Sequence, residues 1–155
     1  MRKINIVLLC PEIPQNTGNI SRTCAVTDTA LHIIRPTGFE ISDRTLKRAG
    51  LDYWDKLDVS YYDSYEDFRS SHGESNIYYF SSHAERSAFD VEFEDEVYLV
   101  FGRESVGLPK EILDNNRERT LRIPMRDGVR CLNLSNSVAI ALYEVLRQRG
   151  FSGLS

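Results

Sequence analysis

The chain has 155 residues, 41% of them hydrophobic, which is enough for one domain with its own core, because a chain of about 150 residues buries roughly two thirds of its extended surface. Its 19 basic and 23 acidic residues leave a formal charge of -4, which argues against a uniformly basic nucleic-acid-binding protein. No apolar run approaches the roughly eighteen residues of a membrane helix, and three cysteines without a CxxC pair argue against a disulfide framework or a zinc site.

In chain order, the first apolar run is Ile4 to Leu9. It is too short for a secretory leader, carries Asn5, and is followed by Pro11-Glu12 rather than a small-residue cleavage pattern, so it predicts a buried first strand. With unpaired cysteines it also predicts a protein of the reducing cytoplasm. Further short runs, rich in β-branched or aromatic residues, predict strands at Leu31 to Ile34, Ile77 to Phe80, Val97 to Phe101 and Leu121 to Ile123. Helix-compatible stretches alternate with them: Thr17 to Thr27, Arg44 to Leu51 behind the cap candidates Ser42 and Asp43, Tyr65 to Ser71, and Pro109 to Asn115. The last and longest runs from Asn133 to Arg149 and stops at Gly150. Strands alternating with helices predict an α/β fold with a mainly parallel sheet and flanking helices. No repeat, low-complexity tract or linker divides residues 1–155, so one domain is expected.

Charge is unevenly distributed along this chain. Residues 63–96 carry ten acids against two bases, leaving 17 bases against 13 acids elsewhere. Arg44, Lys47 and Arg48 fall within five residues, and Arg122, Arg126 and Arg130 recur every four. A local phosphate-binding surface therefore stays open beside the simpler reading of solvated surface charge.

Three polar loops follow strand ends, where ligands sit in open α/β sheets. The segment 11–22 brings Asn16, Thr17, Asn19 and Arg22 to a strand-to-helix junction, where helix N–H groups and a guanidinium suit an anion, although taken singly this loop reads more simply as Asn16 and Thr17 caps before a surface Arg22. The segment Gly102-Arg-Glu-Ser-Val-Gly-Leu-Pro109 spaces two glycines as a P-loop does, but Leu108 and Pro109 stand where Lys and Ser or Thr would be needed. What remains is a tight loop holding Glu104. In the third, Asn133, Ser135, Asn136 and Ser137 precede the apolar start of the final helix, whereas one cap residue would suffice. His32, His72 and His83 are scattered, and His32 sits in a predicted strand, where a hydrogen-bonded structural histidine is expected. No HExxH, GxSxG or metal-ligand spacing occurs, and Cys131 has no histidine near it in sequence.

Together these segments resemble the three motifs of the SPOUT superfamily of RNA methyltransferases, in its smallest branch, the tRNA wobble-nucleotide 2'-O-methyltransferases. The matching pieces are PEIPQNTGNISR at 11–22, LVFGRESVGLP at 99–109, and Ile123-Pro-Met125 with LNLSNSV at 132–138. RPTGF at 35–39 and RAGLDY at 48–53 extend the likeness over nearly the whole chain. The resemblance implies a deep C-terminal trefoil knot, a homodimer, no metal, and S-adenosylmethionine (AdoMet) as methyl donor. It places Phe80, Gly102, Ile123, Cys131 and Leu132 around AdoMet, and Arg22, Asn16, Glu104, Asn133 and Ser135 in the catalytic group. Arg44, Lys47, Arg48, Arg126 and Arg130 become candidates for contact with a tRNA anticodon arm. Cys131 departs from the Ser that relatives commonly carry. The implied reaction is 2'-O-methylation at the wobble position, cytidine or modified uridine 34, with leucine tRNAs the expected substrates. A catalytically silent RNA-binding relative, or an AdoMet enzyme acting on another RNA or a small molecule, are the alternatives.

Overall fold

The computed structural model describes residues 3–40 and 56–155. The predicted helix 44–51 and the basic group Arg44, Lys47 and Arg48 lie outside the described residues. Among the described residues, seven strands form one sheet: β1 (Ile4–Leu9), β2 (Ala30–Ile34), β3 (Val59–Tyr62), β4 (Ile77–Phe80), β5 (Arg86–Ser87), β6 (Val97–Phe101) and β7 (Thr120–Arg122). Their spatial order is β3-β2-β1-β6-β4-β7-β5, and every adjacent pair runs parallel. The described α-helices are α1 (Pro14–Val26), α2 (Tyr65–Ser71), α3 (Lys110–Asp114) and α4 (Leu134–Gln148).

β1, β2, β4 and β6 are buried along their whole length. That is why they read as continuous apolar runs rather than as alternating patterns. Alternation survives only in which side chain meets which layer. Ile6, Leu8, Ile33, Leu99 and Leu121 pack under Ile20 and Cys24 of α1 and Val138, Leu142 and Val145 of α4. Val7, Leu9, Ile34, Tyr79 and Val100 face the opposite side, against Phe68 of α2 and Ile112 of α3. Each such fully buried aliphatic chain contributes about 1.5–3 kcal/mol over an exposed one. Two strands escaped the sequence reading: β3, which is half-buried at the edge, and β5, which is two residues long. Among the described residues, no helix is long and apolar enough to cross a membrane.

α4 is bolted down at its far end. Glu144, 4% exposed, accepts from Arg147 Nε at 2.7 Å and Nη2 at 3.0 Å, and from Gln148 Nε2 at 3.0 Å. Gln148 in turn donates to Val91 O and accepts from Phe93 N, tying the helix to the segment before β6.

The sheet also carries a directional polar chain through its core. Asn5 Nδ2 donates to Val97 O, so Asn5 Oδ1 must accept from His32 Nε2, 2.9 Å away. His32 Nδ1 is then unprotonated and accepts from Tyr62 Oη at 2.9 Å, which leaves Tyr62 to accept from His72 Nε2 at 2.9 Å. His32 is thus the hydrogen-bonded structural histidine expected of a strand. Burial, reinforced by His72, pushes its pKa from 6.5 down to about 4. A histidine held neutral in the fold but free to protonate when unfolded contributes stability that is complete above its ordinary pKa and is lost as pH falls towards its folded value. Melting temperature should therefore drop between pH 6.5 and about 4, and His32→Gln should flatten much of that slope in calorimetry. An unchanged slope would assign the acid sensitivity to other groups.

Candidate active site

The β1–β6 ladder pairs Leu8 with Phe101, so both strands end at the same level and release their loops side by side. After β1 the chain turns sharply through Cys10, whose φ of 53° is unusual for a non-glycine residue. α1 then begins at Pro14, three residues before the predicted Thr17 start. Its N-cap, Ile13, has no side chain able to cap it. The missing acceptor comes from across the sheet: Glu104 Oε1 accepts from Glu12 N at 2.9 Å, and Oε2 from Ile13 N at 2.7 Å and Asn16 Nδ2 at 3.3 Å. The sequence suggests this helix start as a place for an anion, and the anion there is the protein's own carboxylate.

The second loop closes on itself. Arg103 and Gly107 exchange backbone hydrogen bonds of 3.3 Å and 2.8 Å, with Gly107 at φ 71°. A Cβ on Gly102 would lie 2.1 Å from Gly107 C and 2.2 Å from Leu108 N. The glycine pair that imitated a P-loop spacing therefore serves a backbone-on-backbone turn. From that turn Ser105 donates through N at 3.0 Å and Oγ at 2.7 Å to Glu12 Oε1. These two bonds hold the Glu12 carboxyl below its ordinary range.

In the third segment, Asn133 is the cap of α4. Its Oδ1 accepts from Ser135 N at 2.9 Å and from Ser135 Oγ at 2.6 Å. Two of the four clustered polar residues are thereby used on each other, and Ser137 turns toward the space between the loops.

That space is a cleft of about 630 Å³. Phe80, Gly102, Ile123, Cys131 and Leu132 all line it, as do Asn16, Glu104, Asn133 and Arg130. Phe80 and Phe101 stack at 4.6 Å beneath it. Arg22 and Ser135 are not in the wall: Arg22 is exposed on α1, and Ser135 stays in the cap. Arg126 lines an adjoining apolar groove of about 500 Å³ with Phe89, Met125, Val129 and Ile140. The cleft also recruits the segment after β4: Ser81 and Ser82, which were not singled out from sequence, and His83, which reads in the sequence only as a scattered histidine. The signal was present, since this loop too leaves a strand's carboxyl end, but nothing in the sequence placed β4 beside β6. Among the described residues, no group of three or more His, Cys, Asp or Glu side chains could hold a metal ion. With Glu104 committed to two backbone N–H groups and the Asn16 amide, the cleft offers apolar side chains with amides, hydroxyls, His83, Arg130 and the Cys131 thiol around them.

Residues 3–143 match the model of the SpoU rRNA methylase family. The tRNA (cytidine(34)-2'-O)-methyltransferase of Saccharophagus degradans is 43% identical over 150 residues, covering 96% of this chain and 97% of the relative. A Geobacillus stearothermophilus protein provisionally given the same name is 52% identical over 155 residues, covering 98% and 99%. A solved structure from work on the 2-OH methylation of C/U34 on tRNA superposes with a TM-score of 0.90 at 44% identity, over 97% of this chain and 98% of that one. The likeness runs through all three loops and the sheet that carries them, and the chain belongs to the SpoU rRNA methylase family.

Proposed function

We propose that this chain is an AdoMet-dependent tRNA methyltransferase acting on the ribose 2'-hydroxyl of nucleotide 34, cytidine or modified uridine, with leucine tRNAs as substrates. The observation that carries the reading is the convergence of Asn16, Glu104 and Asn133, from three loops, on one cleft in a chain so similar to tRNA (cytidine(34)-2'-O)-methyltransferases.

The cleft suits such a donor in size and lining, since ligand sites of this kind span about 300–1,000 Å³ and are mostly apolar with a few placed polar groups. Phe80, Ile123 and Leu132 would cover the apolar parts, and Gly102 and Cys131 would contribute backbone groups. AdoMet supplies an electrophilic methyl group on a sulfonium. The chain's own work is to align the ribose oxygen and to manage the proton that leaves it. Asn16, oriented by Glu104, and the Asn133–Ser135 cap form the rigid side of that alignment. Arg22 lies outside the cleft wall of its own subunit, and its exposed guanidinium is assigned to holding RNA phosphate where that charge stabilises the developing alkoxide.

The remaining features belong to the same reading. The passage from β7 through residues 123–133 to α4, which returns across β6 and β1, is taken as a trefoil knot. Residues 1–155 act as one cytoplasmic domain that works as a homodimer without metal. Support for the dimer comes from apolar side chains left in solvent on α1 and at the end of α4: Val26 is 64% exposed, Tyr143 44% and Phe151 40%. Two subunits then pool Arg126, Arg130 and the 44–48 basic group for the anticodon arm.

Labelled-methyl transfer to bulk tRNA, followed by mapping of the ribose, should place the product at position 34, and transfer elsewhere or none at all would overturn the reading. Arg22→Lys keeps the charge and loses the planar fork, so methyl transfer should fall by about tenfold or more while AdoMet affinity persists in calorimetry. Equal loss of both would move Arg22 to the donor site. tRNA affinity should decline linearly in log–log form as salt rises, and a flat response would remove the basic groups from the interface. Cys131→Ser should leave activity within a few fold, and abolition would give the thiol a role of its own.

A further inference from the structure

Glu12 does not line the cleft, yet it is the point on which the two loops that build the cleft wall are joined. Two arms cross between them. Glu104 reaches from the turn to the backbone of Glu12 and Ile13 and to the Asn16 amide. Glu12 reaches back, accepting both the N–H and the hydroxyl of the next residue in that turn, Ser105. One arm alone would leave a hinge about its bonds, whereas two antiparallel arms fix both separation and rotation.

The backbone of Glu12 is itself held from behind. Gly38 N donates to Pro11 O at 2.9 Å, and a Cβ on Gly38 would lie 2.9 Å from Glu12 Cα and 3.0 Å from Glu12 O. Cys10 N donates to Ile34 O at 2.9 Å, so the end of β2 sets where Glu12 stands. Glu12 thus transmits the position of the β2 end to Ser105, Glu104 and Asn16, all three of which face the cleft.

We propose that Glu12 is a positioning residue for the methyl transfer inferred above, on which this proposal rests: its tie to Ser105 keeps the 102–108 turn, and through Glu104 the Asn16 amide, in register at the cleft. Because Glu12 lies outside the cleft wall, and Gly102 is fixed separately by its packing on Gly107 and Leu108 and by the Arg103–Gly107 backbone pair, loss of Glu12 acts on turnover rather than on binding.

The test is steady-state kinetics on tRNA with AdoMet titration by calorimetry. Glu12→Ala should lower kcat about tenfold, with KM for tRNA and Kd for AdoMet within about threefold of wild type. Glu12→Gln keeps an amide oxygen able to accept both Ser105 bonds and should recover most of kcat. Gly38→Ala pushes the Glu12 backbone aside while leaving both carboxylates intact, and should reproduce the Glu12→Ala pattern. Wild-type kcat in Glu12→Ala, or AdoMet affinity falling in step with kcat, would overturn the assignment. Hydrogen exchange of the Ser105 amide requires no substrate. Faster exchange in Glu12→Ala at unchanged melting temperature supports the tie even if tRNA proves not to be the substrate, and unchanged exchange refutes it.

Discussion

The parallel pairing of β1 with β6 places Leu8 opposite Phe101, and the site depends on that register. Because both strands run the same way and stop at the same height, loops separated by some ninety residues of chain emerge as neighbours, and a glutamate on one can reach the backbone of the other. Glu104 exploits this by serving three donors at once, including the main-chain N–H groups of Glu12 and Ile13 just before α1. A shift of one residue in register would reverse the facing of every side chain along β1 and carry the carboxylate away from its donors.

The polar groups that join the loops around the cleft are satisfied within the protein. Glu104, Glu12, Ser105, Asn133 and Ser135 bond one another or nearby backbone, so little reorganisation is needed when a ligand arrives. Alignment made in advance favours a group transfer, because geometry is set during folding, when core burial supplies the free energy, and not during binding. The Asn5–His32–Tyr62–His72 chain applies the same economy deeper in the sheet, where each donor has one acceptor and the tautomers follow without ambiguity.

Much of this was legible in the residues. Ile4–Leu9, Ile77–Phe80 and Val97–Phe101 emerged from sequence with their observed limits, because strands buried on both faces must be apolar throughout. α1 was read too short, since Pro14 and Ile13 give no capping signal when the cap is a glutamate 88 to 92 positions away. β3 and β5 were missed for a different reason: an edge strand needs only one partner, and Arg86–Ser87 is defined solely by pairing with β7.

By itself the sequence determined the composition of the site. Three polar loops behind apolar strands, a glycine pair at 102 and 107 around Glu104, and residues matching a methyltransferase family are local properties, written in neighbouring residues. Only the tertiary structure decided who meets whom. Strand order brought Ser81, Ser82 and His83 into the cleft, left Arg22 on an exposed face of α1, and turned the over-capped start of α4 into one cap plus one cleft-lining serine. The reason is physical: hydrogen bonds between distant loops and the register of parallel strands arise from packing of the whole core, and no window of sequence contains both partners.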